Sequence, residues 1–380
     1  MKKLVVFLFA CLAGVAIGIG IAILGGKSVD FGHEMLNMLL IIIMICLAAY
    51  AQIILHEAGH LVCGLMSGYK FVSFRIGSLT IIKQDGKLRL KRFNLAGTGG
   101  QCLLLPPKNF ALHEIPTMLY NAGGVLMNII TATIALVLLF AFKSTMPNWL
   151  IYFLAGTLVV GYAFALLNGI PMKVSGVSND GYNMLHLGKN KQSVKGFAVQ
   201  LLANEAIQNG TRPAEMPEEF FNLGGDIDYR DPLQCNVALM RISRILDSGN
   251  IELAYEQLKN LVQQHESEML PMLSAEARIE LAYTSLATGD TLLAQELLSD
   301  KKLMAYIKAH AAVMSSKQRL LMAKALILDG DRQAAETIFD KVVANRDKYL
   351  MQGEVACDID LMRKLLDAHD VDENQPNSTN

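Results

Sequence analysis

The sequence has little net charge and no regular cysteine pattern. It contains 34 Lys and Arg against 35 Asp and Glu, a net charge of −1, so it lacks the basic excess of a nucleic-acid-binding protein. No pair of cysteines has the C-x-x-C spacing, which favours reduced structural thiols over a redox role. The six cysteines are at positions 11, 46, 63, 102, 235 and 357.

Long apolar runs dominate the first 172 residues, whereas the rest of the chain has the composition of soluble helices. Each run is long enough to cross a bilayer as a helix. The first run follows MKK and has no small-x-small cleavage site after it, so we expect an anchor that is retained. The four predicted spans are Leu4–Leu24, Met35–Leu55 continuing to about Met66, Ile115–Phe142 and Trp149–Pro171.

The distribution of Lys and Arg predicts the orientation of these spans. Basic residues precede the first span, follow the fourth and are frequent in the loop between the second and third. Each of the other two loops has a single basic residue, Lys27 or Lys143. Since cytoplasmic loops are enriched in Lys and Arg, both termini are predicted to be cytoplasmic. The predicted location is a multi-pass position in the cell membrane, the plasma membrane of a bacterium.

A charge-free run from Met35 to Leu55 leads directly into His56, Glu57 and His60, an H-E-x-x-H pattern. On a helix, residues four apart share a face, so the two imidazoles can bind one metal ion while Glu57 lies beside them. Ionisable residues inside a membrane are costly and mark functional sites. The pattern therefore predicts a Zn²⁺ site with Glu57 as the general base. The alternative, that these are buried polar residues with only a structural role, is less favoured.

A catalytic zinc site needs a third protein ligand, and the sequence offers four candidates: Asp180, His186, His113 and Glu114. Asp180 follows a Gly- and Ser-containing bend after the fourth span, which could fold the carboxylate back toward the histidines. Pro171 should end that span and leave the Asn168 amide free to donate. By itself, however, N-D-G is a common turn sequence.

In combination, these elements resemble the site-2 protease family of intramembrane zinc metalloproteases. The match is carried by H-E-x-x-H, by N-x-x-P at Asn168 and Pro171, and by D-G at Asp180 and Gly181. The resemblance implies zinc held by His56, His60 and Asp180, with Glu57 and Asn168 as catalytic residues.

In NAGGVLMN, Gly124 and Asn128 match a third family element, but Val125 replaces its proline, and the Pro171 to Asp180 interval is longer than usual. From the residues alone, we expect the two glycines to allow close helix packing and Asn128 to bind a neighbouring helix.

Between the second and third spans, apolar and polar residues alternate around Asp85–Gly86. This pattern predicts a β-hairpin with strands at about 71–82 and 87–93, and LAGTGGQCLLLPP could add an edge strand. An edge near the metal could hold an extended peptide by strand addition, as the resemblance also implies. Equally, a basic hairpin could rest on anionic lipid heads.

Three windows in the C-terminal part align at Gly249, Gly289 and Gly330, with spacings of 40 and 41 residues. In each window an alanine follows the glycine by five residues and a large apolar residue follows it by nine. This predicts helix-turn-helix repeats that resemble half of a tetratricopeptide motif, although the period exceeds the usual ~34 residues. A structural array is favoured over a peptide-binding groove.

The predicted fold is therefore an α-helical membrane protein with four transmembrane helices and a small β-hairpin or sheet insertion, followed by a cytoplasmic all-α helical-repeat domain. The predicted function is a zinc metalloendopeptidase that cleaves a transmembrane peptide or protein in the lipid bilayer, with a possible protein partner for the repeats. Alternatives are a membrane-tethered repeat scaffold with an inactive metal site and a divalent-metal transporter, which the lack of an inverted repeat disfavours.

The predicted segments are an anchor and loop at 1–34, a protease core at 35–185 with its insertion at 70–105, a linker or interfacial helix at 186–230, repeats at 231–370 and a disordered tail at 371–380.

Overall fold

The structure, a computed structural model, describes residues 31–84, 86–92, 99–174 and 177–374. The predicted first span at Leu4–Leu24 lies outside these residues, as does the tail from 375 onward. Within the described residues the protein is mostly helical, with one four-stranded antiparallel sheet and a short two-stranded one.

Three helices are long and apolar enough to cross a membrane: α1, Phe31–Met66; α2, Met118–Phe142; and α3, Asn148–Gly169. Their most apolar windows are only 11–22% buried, so most of the side-chain surface there is left for lipid. Helix α2 begins three residues later than predicted, after Pro116. Helix α3 ends two residues before Pro171, because proline disfavours helical backbone at the preceding residue.

The sheet consists of β1, Lys70–Ile76; β2, Leu79–Gln84; β3, Lys87–Arg92; and β4, Gly100–Leu105. The strand order is β3-β2-β1-β4. The predicted hairpin around Asp85–Gly86 is confirmed, since β2 and β3 pair from Leu79 with Arg92 to Gln84 with Lys87. The predicted single strand at 71–82 is wrong: it is two strands joined by a turn at Gly77, where a φ of 58° favours glycine.

After α3 the chain forms the two short strands β5, Lys173–Val174, and β6, Val177–Ser178, and then α4, Asp180–His186. Helix α5, Lys191–Gln208, occupies the predicted linker. Its residues Val194, Ala198 and Leu201 pack into a core with Leu104 of β4 and Tyr120 of α2. Val199 and Ala203 pack into a second core with Val237.

Eight further α-helices follow α5 within the described residues. The glycines at 249, 289 and 330 have φ values of 92°, 86° and 63° and end helices at tight turns, as the aligned windows predicted. Each glycine precedes an Asn or Asp that caps the next helix, and the alanines five residues after the glycines are fully buried. The helices are α6, Pro232–Asp247; α7, Ile251–His265; α8, Pro271–Ala287; α9, Thr291–Ser299; α10, Lys301–His310; α11, Ser315–Ile327; α12, Arg332–Ala344; and α13, Gln352–Asn374.

The chain divides into two compact units. One contains the described residues up to Gln52 together with Asn128–Ala163. The other contains Ile53–Met127 and the described residues from Phe164 onward, so it holds the sheet, the ends of the apolar helices and the whole helical array. The H-E-x-x-H pattern and Asp180 both belong to this second unit.

Candidate metal centre

Three side chains meet at one point in the second unit: His56, His60 and Asp180. The His56 Nε2 atom lies 3.0 Å from Asp180 Oδ2, and His60 Nε2 lies 3.3 Å from the same oxygen. The two Nε2 atoms are 3.2 Å apart. Ligand atoms placed tetrahedrally at about 2.0–2.1 Å from zinc would be separated by about 3.3–3.4 Å, so these spacings suit a zinc ion.

The state of the His60 ring also suits a metal ligand. Its Nδ1 atom lies 2.9 Å from the Tyr120 carbonyl oxygen, which can only accept a hydrogen bond. Nδ1 must therefore carry a proton, and in the neutral ring Nε2 presents a lone pair toward Asp180. A backbone carbonyl behind a histidine is a common means of fixing the orientation of a ligand.

Asp180 supplies the negative charge of the group. Its Oδ2 atom is buried and accepts no hydrogen bond of good geometry within the described residues, which leaves its lone pairs for a cation. Burial raises the pKa of Asp180, but the hydrogen bonds and charges that His56 and His60 supply when their Nε2 atoms are protonated outweigh burial and lower the pKa to about 2. The carboxylate is thus ionised at neutral pH, the form that binds metals.

Asp180 is held in place by its neighbour Asn179, whose role the sequence analysis missed. The Asn179 amide donates to the carbonyl oxygens of Leu167 and Ile170 at the end of α3, at 2.9 and 2.7 Å. Its Oδ1 atom accepts from the backbone N–H groups of Met172 and Tyr182, the second of which caps α4. An Asn directly before a helix is a capping signal that could have indicated half of this role.

Two glycines allow the backbone to approach this group closely. A β-carbon at Gly124 would lie 2.6 Å from both His56 Nε2 and His60 Nε2, so α2 passes directly against the imidazoles. A β-carbon at Gly181 would overlap the carbonyl oxygen of Gly169, so α4 packs on the end of α3. The weak N-D-G sequence therefore contains a cap, a ligand and a close-packing residue in succession.

Glu57 lies next to the edge strand β4. A β-carbon at Gly100, the first residue of β4, would lie 2.5 Å from Glu57 Cγ and 2.8 Å from its Oε1. Tyr120 links the same strand to the ligands, because its hydroxyl donates to the Cys102 carbonyl at 3.0 Å while its own carbonyl accepts from His60. The structure thus brings the predicted base, the ligands and a sheet edge together.

The other predicted residues lie outside this group. His113 pairs with Glu114 at 3.3 Å on the surface, and His186 stacks on Tyr182. The Asn168 amide donates one of its two N–H groups to the Phe164 carbonyl of its own helix at 3.0 Å.

Asn128 binds a neighbouring helix, as the residues alone predicted. In the first unit its amide donates to Gln52 Oε1 at 2.6 Å and to the Gln52 carbonyl at 3.1 Å. The Gln52 amide in turn donates to the Thr157 carbonyl. Asn128 and Gln52 are both fully buried, so this network satisfies polar groups that would otherwise be unpaired in an apolar environment.

Comparison of the chain with models of protein families, with curated protein sequences and with solved structures gives no match. The arrangement of His56, Glu57, His60 and Asp180 is therefore the observation on which a functional proposal rests.

Proposed function

We propose that this protein is an intramembrane zinc endopeptidase that cleaves membrane-embedded peptides or single-span proteins. The observation that carries the proposal is the convergence of His56, His60 and Asp180 within 3.3 Å, with Glu57 adjacent, at the end of a helix apolar enough to span a bilayer. A structural zinc site would have four protein ligands, whereas the described residues supply three and leave a position for water or substrate.

His56, His60 and Asp180 would hold the zinc ion, which when bound supplies Lewis acidity toward water and the scissile carbonyl. The chain fixes this ligand set before binding. The Tyr120 carbonyl orients the His60 ring, and the Asn179 contacts fix the backbone that carries Asp180. Such preformed support reduces the reorganisation that binding requires.

Glu57 acts as the general base. Because it directly follows His56 on the helix, its side chain lies beside the two imidazoles, where it can reach a water bound at the metal. Its carboxylate accepts the proton of the attacking water and delivers it to the amine of the leaving peptide. Asn168 stays a candidate for binding the substrate backbone, through the N–H group that does not donate to Phe164.

The edge strand β4 would receive the substrate. A peptide bond is accessible to attack only in an extended chain, and β4 is at the edge of the sheet with its first residue against Glu57. An extended substrate segment pairing with β4 would therefore lie beside the base, by strand addition. We further propose the four-span topology with both termini cytoplasmic, and a helical-repeat domain after residue 231.

Substitution of Glu57 by Gln tests the proposal. The variant should retain zinc, because the ligands are unchanged, but lose about 10²- to 10⁴-fold in cleavage rate of a single-span substrate in liposomes. Glu114→Gln, at an exposed acid outside the group, is the matched control and should cleave normally. Undiminished cleavage by Glu57→Gln would refute the protease proposal.

A further inference from the structure

A partly open cavity of about 420 Å³ lies among the C-terminal helices, remote in sequence from His56, His60 and Asp180. Its walls come from α5 to α8, from the segment between α5 and α6, and from α10, α11 and α13, and its volume lies within the range of ligand pockets. None of its lining residues takes part in the proposed zinc site. The cavity therefore has no role in the chemistry described above.

Methionines form an unusual share of the apolar wall. The cavity is lined by Met216, Met240, Met272 and Met314, together with leucines such as Leu239 and Leu246. Methionine is unbranched and polarisable, so methionine-rich surfaces adapt to apolar side chains of different shape. This wall is suited to the apolar side of a peptide whose sequence is not strictly specified.

Acidic groups form the polar part of the wall: Glu276, Glu280, Glu354 and Asp358. Two cations balance part of this charge. Lys317 pairs with Glu276, and Arg319 pairs with Glu280 and with Asp358, the latter at 2.7 Å. Counted as ionised, the four acids and two bases give a formal net charge of −2 around the cavity.

Two polar groups at the cavity lack partners within the described residues. Glu354 forms no ion pair or hydrogen bond there, although its side chain is accessible. Arg319 is 3% exposed, and its Nε atom is buried without an acceptor. A bound peptide could place a backbone carbonyl at the buried Arg319 Nε atom, where a missing acceptor is costly, and a cationic side chain at the exposed Glu354 carboxylate.

We propose that this cavity binds a short cationic and apolar peptide segment, namely the cytoplasmic flank of the single-span protein that the protease cleaves. The inference rests on the proposed function for the identity of the partner. Cytoplasmic flanks of membrane spans are enriched in Lys and Arg next to an apolar run, which complements the charge and the methionine wall of the cavity. The helical array would then select substrates and retain them near the membrane.

Glu354→Gln is a fair test because it should not unfold the protein. The Glu354 side chain is exposed and makes no hydrogen bond or ion pair within the described residues, so the substitution removes no native contact. Removing its charge should leave the fold at least as stable at pH 7.5.

The experiment uses the full chain in nanodiscs, carrying Glu57→Gln so that nothing is cleaved. Fluorescence anisotropy measures binding of a short labelled peptide of leucine and lysine, with a leucine and glutamate peptide as the charge-reversed probe. We expect saturable binding of the basic peptide only, and a rise of about tenfold in Kd on Glu354→Gln. Glu296→Gln, at an exposed acid of α9 outside the cavity, should bind like the parent chain.

Equal binding of the two peptides, no binding of either, or an unchanged Kd in Glu354→Gln would overturn the inference. The two proposals fail differently. A chain that binds zinc and cleaves its substrate but ignores the basic peptide contradicts the cavity inference alone. A chain that binds the basic peptide but neither holds zinc nor cleaves contradicts the protease proposal and leaves the cavity as a peptide site.

Discussion

At the scale of single residues, the candidate metal site of His56, His60 and Asp180 includes one carboxylate from a part of the chain that is distant in sequence. Asp180 is 120 residues from His60 in sequence (180 − 60), yet its Oδ2 atom contacts both imidazoles. In the proposed zinc site its negative charge would offset that of the metal, because two neutral imidazoles alone would bind zinc weakly. The affinity for zinc should therefore depend strongly on this side chain.

We predict that Asp180→Ala loses most of its bound zinc and all detectable cleavage, because the third ligand and the only charged one is removed. His113→Ala and His186→Ala are the controls, since the structure places both outside the group. Zinc content after dialysis, measured by mass spectrometry, checks the prediction. Full zinc occupancy in Asp180→Ala, or its loss in His186→Ala, would show that another residue is the third ligand.

At the scale of secondary structure, the site depends on how the end of α3 is joined to the start of α4. Asn179 makes four hydrogen bonds at this junction: two as a donor to carbonyls of the α3 end and two as an acceptor from backbone N–H groups. Gly181 permits the same two elements to touch. The position of Asp180 relative to His56 is therefore set by the hydrogen bonds of the Asn179 side chain to the backbone and by the close contact at Gly181.

We predict that Asn179→Asp weakens zinc binding by about 10- to 100-fold, the usual effect of losing a group that orients a ligand. The variant keeps the accepting oxygen but loses both donor bonds and places a carboxylate against two carbonyls. Asn190→Asp is the matched control, because Asn190 caps α5 only as an acceptor, from the N–H groups of Gln192 and Ser193. Zinc affinity by chelator competition separates them, and equal affinities would refute the role of Asn179.

At the scale of the whole molecule, α5 couples the helical array to the metal group. One face of α5 packs on β4 and Tyr120, and Tyr120 accepts the hydrogen bond from His60. The other face, with Val199 and Ala203, packs on Val237 of α6. The array, the sheet and the site accordingly form one compact unit.

We predict that a chain ending at residue 230 melts at a lower temperature and releases zinc in the same transition. Removing α6 exposes the Val199 face of α5, and each buried aliphatic side chain contributes about 1.5–3 kcal/mol. Thermal melting with simultaneous zinc release measures the effect, and a chain ending at Asn374, which keeps all these contacts, is the control. An unchanged melting temperature with full zinc content in the shorter chain would contradict this coupling.

Local patterns were sufficient for several features of this protein. Uninterrupted apolar runs predicted the three described helices that are long and apolar enough to cross a membrane, because helix length and hydropathy are properties of contiguous residues. The i, i+4 spacing placed His56 and His60 on one helix face for the same reason. The aligned glycines predicted the turns at 249, 289 and 330, where short-range backbone geometry decides the structure.

Tertiary structure decided what depends on residues far apart in the chain. The meeting of Asp180 with the histidines, the contact of Gly100 with Glu57 and the packing of α5 on β4 all join segments without a shared local pattern. The break between β1 and β2 at Gly77 was not predicted, because the alternation of apolar and polar residues continues through it. The pairing of β1 with β4 also ends there. Sequence determined which residues could bind a metal and which helices could enter a membrane, because these are properties of side chains and of contiguous segments. Only the fold decided which carboxylate reaches the histidines, because the long-range packing that sets this distance leaves no periodic signal in the chain.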